Sequence, residues 1–125
     1  MILKYCAAII IRGKKVLLLR RSLDDDSYPG DWCPVNGSIE EGELPEETVI
    51  REVKEEAGLE FTITSQLDNI FGEYVFLGTA KGKIKLEEEE VCEFGWFTYK
   101  EAKKLKLAYD YSSVIEHLHK LNLIG

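Results

Sequence analysis

The sequence predicts an α+β domain, a mixed sheet flanked by helices, on three observations. Strand-like apolar runs and amphipathic helical segments interleave along the chain around one core. Its 125 residues suffice for a single compact domain, residues 1–125, and are too few for two. No internal repeat, low-complexity tract or linker divides them. At this level a general α+β arrangement and an α/β/α sandwich both remain open.

The elements follow in chain order. Tyr5–Ile11 and Val16–Leu19 are near-continuous apolar runs around Arg12-Gly13-Lys14-Lys15, which reads as a hairpin with strands buried on both faces. Ser22–Asp31 is a polar loop, and its Asp24, Asp25 and Asp26 lack the spacing of a calcium loop and read as solvated. Trp32–Val35 is a short extended piece, because the residue before Pro34 is pushed toward β geometry. Leu44–Leu59 is the clearest helix: Pro45 suits the first turn, Glu46 and Glu47 favour the positive dipole end, and Gly58 suits the C-terminal cap. Val49, Ile50, Val53 and Ala57 are predicted to share its buried face. Strands are predicted at Phe61–Leu67, Asn69–Thr79 and Lys83–Leu86, with β character resuming at Phe94–Phe97 after the acidic run Glu87–Glu90. Thr98 and Glu101 have capping-box spacing for a short helix to about Leu105, and a final helix over Tyr111–Leu121 turns Val114, Ile115, Leu118 and Leu121 inward.

Charge narrows the function. A net charge of −7 repels nucleic acid polymers, and it would repel a nucleotide too unless a divalent cation stood between carboxylates and phosphates. Three cysteines, Cys6, Cys33 and Cys92, form no close pair and read as free thiols in a reducing cytosol. The start, Met1–Ala8, reads as strand rather than secretory signal, and no stretch is long enough to span a bilayer, so the expected location is cytoplasmic.

Glu52, Glu55 and Glu56 stand three and four residues apart, on a helix stripe away from Val49, Val53 and Ala57. Like charges at that spacing destabilise a helix by roughly 0.2–0.5 kcal/mol per pair, which a hard, oxygen-seeking cation such as Mg²⁺ would offset. Arg51 and Glu43 are placed to pair nearby and hold the carboxylates, and Gly37 and Gly42 allow the loop before the helix to turn close to them. The competing reading is a solvated acidic helix face.

The wider pattern, Gly37-x5-Glu43-x7-Arg51-Glu52-Val53-x-Glu55-Glu56-x-Gly58-Leu59, fixes nine positions over 23 residues and resembles the Nudix box at each. The hairpin ending in Leu19-Arg20-Arg21, the Pro29-Gly30-Asp31-Trp32 lead-in and the acidic run before Trp96-Phe97 are similar to the family's flanks. This resemblance, to MutT-like small Nudix pyrophosphatases, implies a Nudix fold and hydrolysis of a diphosphate linkage in a nucleoside triphosphate or other nucleoside diphosphate derivative. The alternatives are a dinucleoside polyphosphate, nucleotide-sugar or ADP-ribose pyrophosphatase, or a nucleotide-sensing module without catalysis. It implies Mg²⁺, with Mn²⁺ as an alternative, on Glu52, Glu55 and Glu56 with the Gly37 carbonyl, and a supporting role for Arg51 and Glu43. A general base outside the box is expected at Glu90, also a candidate metal ligand, with Glu93 second. Arg21 or Arg20 is expected to clamp a phosphate. Trp32, Tyr74 and Asp110 are candidate base contacts; each has a bland counterpart as core tryptophan, strand residue and helix N-cap. Two features depart from the family pattern. Asn36 replaces the usual glycine before Gly37, and no proline follows Pro45, which counts against ADP-ribose cleavage. His117 and His119, two apart on a helix, do not make a metal pair. The expected partner is a nucleotide-like small molecule, with monomer and homodimer both open.

Overall fold

A computed structural model describes residues 3–67 and 72–125. The predicted strand onset at Asn69 lies outside the described residues. Strands β1 (Tyr5–Arg12) and β2 (Lys15–Arg21) form the predicted hairpin, paired from Ile11 to Val16 around Gly13 and Lys14, both at positive φ. β3 (Trp32–Cys33) and β4 (Val35–Ser38) come from the extended piece, followed by α1 (Pro45–Ala57), β5 (Glu60–Leu67), β6 (Tyr74–Lys81) and β7 (Val91–Phe97). The short α2 (Tyr99–Ala102) and α3 (Tyr111–Lys120) complete the order.

The sheet is mixed. Its order is β3-β2-β1-β6-β5, with β4 on β1 and β7 on β2; β1 and β6 run parallel and the other pairs antiparallel. β1 and β2 alternate their side chains between two cores. Cys6, Ala8, Ile10, Leu17 and Leu19 meet Val49, Val53 and Ala57 of α1, whereas Ala7, Ile9, Val16 and Leu18 meet Ala102, Val114, Ile115 and Leu118. This settles the architecture as an α/β/α sandwich. Fully burying each Val, Leu or Ile among them contributes about 1.5–3 kcal/mol, which makes the central strands a firm support for the site. No helix among the described residues is long and apolar enough to cross a membrane.

The caps of α1 follow the expectation. Glu47 Oε1 accepts from the Leu44 amide at 2.8 Å, and Gly58 ends the helix at φ 70° with its N–H on Lys54 O. Three expectations fail. Ile50 is 44% exposed, because it lies one residue round from the Val49–Val53–Ala57 line, and Leu121 is 47% exposed just beyond α3. Lys83–Leu86 is not a strand, despite its alternating pattern. Ile84 and Leu86 pack on the α1-side core, and the Lys85 and Glu87 amides donate to Ala57 O (2.9 Å) and Glu56 O (3.1 Å). The segment satisfies the orphan carbonyls at the end of α1 instead of pairing with a strand. In doing so it brings Glu87 against Glu56.

Candidate active site

The site begins where β4 meets α1. The Gly37 backbone lies beside Cys6 of β1, and its carbonyl accepts a long contact from Cys6 Sγ at 3.8 Å. A methyl group on Gly37 would stand 2.3 Å from Glu52 Cδ and 2.6 Å from Glu52 Oε1, so the glutamate lies directly on the glycine. Only a residue without a side chain leaves that room.

Arg51 fixes the arrangement from behind. Its guanidinium donates to Glu43 Oε2 (2.7 Å) and Oε1 (3.0 Å), to Glu52 Oε1 (2.8 Å) and to Glu55 Oε2 (3.2 Å). It also reaches Ser38 O at 3.3 Å, tying α1 to β4. The Arg51 hydrogen bonds, with others from the Glu40 amide and Thr48, lower the Glu43 carboxyl to about 2. Those on Arg51, from Glu43 first, raise the guanidinium above its ordinary value. Glu56 lies deeper. Burial, then a hydrogen bond and charge from Glu52, then the charges of Glu90 and Glu87, push its carboxyl far above the usual carboxylate range.

These groups open on one cleft of about 680 Å³. Gly37, Glu52, Glu55, Glu56, Glu87 and Glu90 line one end, and Arg21 is the basic residue among the lining. The Glu87–Glu90 turn is held by Glu90 N on Glu87 O (3.0 Å), and Ser22 N anchors it to the end of β2 through Glu90 O (3.0 Å). At the other end are Glu73, Tyr109, Asp110 and Tyr111. Tyr111 Oη donates to Glu73 Oε2 at 3.2 Å. Tyr109 sits at φ 51°, a sparsely populated conformation for an aromatic residue, with its ring over the Arg21 guanidinium at 5.4 Å.

The donor chemistry fits a hard divalent cation: several carboxylate oxygens and a backbone carbonyl, with one half-buried carboxyl set against another. Among the described residues no three acidic, His or Cys side chains already converge on one point, in keeping with mutual repulsion among them.

The structure therefore gathers Gly37, Glu52, Glu55, Glu56, Glu90, Arg21 and Asp110 in one cleft, with Arg51 behind it. Other candidates fall elsewhere. Arg20 alternates with Arg21 on β2 and points away, donating to Gly30 O (2.9 Å) and pairing with Glu93 at 3.3 Å. Trp32 packs edge-on against Phe97 at 5.2 Å in the α3-side core, and Tyr74 packs on the α1-side core. The Asp24–Asp26 loop is not simply solvated: Asp25 accepts from Arg21 (2.8 Å) and from the Ser27 and Tyr28 amides. Asp110 precedes α3 but accepts from Ser113 Oγ at 2.8 Å rather than capping the backbone. Sequence reasoning missed Glu73, Tyr109 and Glu87 as lining residues. Glu87 was visible in the acidic run, whereas Glu73 and Tyr109 carry no local signal.

Comparison with known proteins agrees with this geometry. The NUDIX domain family model matches residues 3–118. The chain is 32% identical over 113 residues to the NAD-capped RNA hydrolase NudC of Mannheimia succiniciproducens, covering 77% of this chain and 40% of that protein. It is 29% identical to the isopentenyl-diphosphate Delta-isomerase of Salmonella heidelberg, covering 75% of this chain and 60% of that one. The chain thus spans about half the length of these curated relatives. Among solved structures, a MutT NUDIX hydrolase from Burkholderia pseudomallei superimposes with a TM-score of 0.72 at 25% identity, covering 90% of this chain and 94% of that one. A C. elegans Ap4A hydrolase does so at 0.69 and 27%, covering 94% and 95%. With the box residues assembled on this α+β Nudix fold and the match running nearly end to end, the chain belongs to the NUDIX domain family.

Proposed function

We propose that the chain is a Mg²⁺-dependent hydrolase of the diphosphate linkage in a nucleoside triphosphate or other nucleoside diphosphate derivative. The observation that carries this reading is Glu56, a half-buried carboxyl set against Glu52 in an acid-lined cleft, with the charges of Glu90 and Glu87 beside it. Such a group is costly unless a cation or a proton accompanies it. Glu52, Glu55 and Glu56, with the Gly37 carbonyl and Glu90 from the facing turn, are the residues that would hold the ion. When bound, Mg²⁺ supplies charge neutralisation on the diphosphate and a more acidic water nucleophile.

The chain's own groups do the rest. Arg51 holds Glu52 and Glu55 in place through hydrogen bonds that substrate does not have to form. Glu90, on the cleft-side turn, takes the proton of the attacking water; Glu93 is tied to Arg20 and does not line the cleft. Arg21, the basic residue lining the cleft, is assigned to take a phosphate oxygen. The test is a panel of nucleotide diphosphate compounds assayed with Mg²⁺ and with excess EDTA. Phosphate or nucleotide release that disappears in EDTA is expected; nucleotide binding without turnover across the panel would replace the enzyme with a sensor.

A further inference from the structure

The far end of the cleft has its own chemistry, and the sheet sets its distance from the carboxylates. Gly37, Cys6 and Tyr74 stand side by side on β4, β1 and β6. Two strand spacings of about 4.8 Å therefore place Glu73, next to Tyr74, about 10 Å from the Gly37–Glu52 contact. A sugar fills a gap of that order between a diphosphate and a base.

Glu73 is half-buried, and its hydrogen bond among the described residues comes from the Tyr111 hydroxyl onto Oε2. Tyr111 is itself 4% exposed, so the pair is held from the α3-side core. Burial raises the Glu73 carboxyl above its ordinary value, and the phenol donating to Oε2 opposes that rise. Asp110 beside it likewise presents carboxylate oxygens, one already used by Ser113. This end of the cleft thus offers acceptors. An ionised carboxylate accepts and cannot donate.

Resting on the reading that the glutamate end takes the diphosphate, we propose that Glu73, positioned by Tyr111, selects a base that presents adjacent N–H donors, the guanine edge with its ring N–H and exocyclic amine. Two donors side by side satisfy one carboxylate in the fork geometry that such groups favour. Adenine and cytosine place a ring acceptor beside their amine, which sets a lone pair against a carboxylate oxygen. Hypoxanthine keeps the ring N–H and loses the amine.

Titration calorimetry of GDP, IDP and ADP in Mg²⁺ against the full chain tests this without relying on turnover. GDP is expected to bind about 10- to 100-fold tighter than ADP, with IDP between. Glu73→Gln replaces one acceptor with a donor and should abolish or invert the order. Tyr111→Phe keeps the ring and removes only the positioning hydroxyl, so the GDP:ADP ratio should narrow even if Glu73→Gln fails to fold. Equal affinities in the wild type, a GDP preference that survives Glu73→Gln, or no binding of any of the three overturns the assignment. Selective GDP binding without hydrolysis would uphold it and overturn the hydrolase reading. Hydrolysis with no base preference would do the reverse.

Discussion

Gly37→Ala is the sharpest probe of the site, because it adds one methyl group at the point where the loop meets the helix. The Gly37 backbone lies outside the left-handed region, so alanine is tolerated there conformationally. Its Cβ would stand 2.3 Å from Glu52 Cδ, whereas ordinary contact begins near 3.4 Å. The Glu52 carboxyl must then retreat by roughly 1 Å, away from a position fixed by Arg51 at 2.8 Å. Misplacement of a catalytic group by about 1 Å can reduce turnover about 100-fold. We expect kcat to fall by that order and Mg²⁺ to bind more weakly, while the circular dichroism spectrum stays unchanged. Steady-state hydrolysis across a Mg²⁺ titration measures both. An alanine variant with wild-type kcat and Mg²⁺ dependence would show that Glu52 need not lie on Gly37.

Other predictions address the remaining parts. Glu56→Gln removes a repelled, half-buried carboxyl while keeping its shape; in EDTA its melting temperature should equal or exceed the wild type's, and both turnover and the Mg²⁺-dependent rise in Tm should vanish. Arg51→Lys replaces a planar fork with a point charge that cannot serve Glu43, Glu52 and Glu55 together, so a 10- to 100-fold loss in activity is expected, and wild-type activity would refute the anchoring role. Glu43, lowered from 4.5 to about 2 in the folded state, contributes stability that is present above pH 4.5 and lost as pH falls from there through about 2. The gap in denaturation midpoint between wild type and Glu43→Gln should therefore close over that window, and a constant gap would contradict the pairing. Glu90→Gln should lower kcat by about 10²–10⁴ with KM little changed; an unchanged kcat moves the base elsewhere.

Much of this molecule is legible in its sequence because the signals are local. The α1 boundaries follow from Pro45, Glu47 and Gly58, whose roles depend on neighbours within one or two turns. The two-sided burial of β1 and β2 follows from apolar runs without alternation. The grouping of Glu52, Glu55 and Glu56 on one stripe is a matter of helix period alone. Failures arise where a second element decides. Lys83–Leu86 alternates like a strand, but the free carbonyls at the end of α1 claim its amides. Arg20 and Arg21 are equivalent as letters, and only the pleat of β2 separates the cleft-lining residue from the outward one. Tyr74, a candidate base contact with a plain strand residue as its counterpart, is the strand residue; its neighbour Glu73 lines the cleft, because β6 docks parallel to β1 and turns Tyr74 onto the core. Tyr109 reaches the cleft through an unusual backbone angle that a sequence does not display.

Diffraction from crystals grown with Mn²⁺ and a non-hydrolysable nucleotide diphosphate analogue, read by the anomalous signal of the metal, addresses the central claim most directly. An ion is expected about 2.0–2.3 Å from carboxylate oxygens of Glu52 and Glu56, with a phosphate oxygen of the analogue beside it. An ordered analogue in the cleft with those carboxylates facing solvent and no metal peak beside them would contradict it.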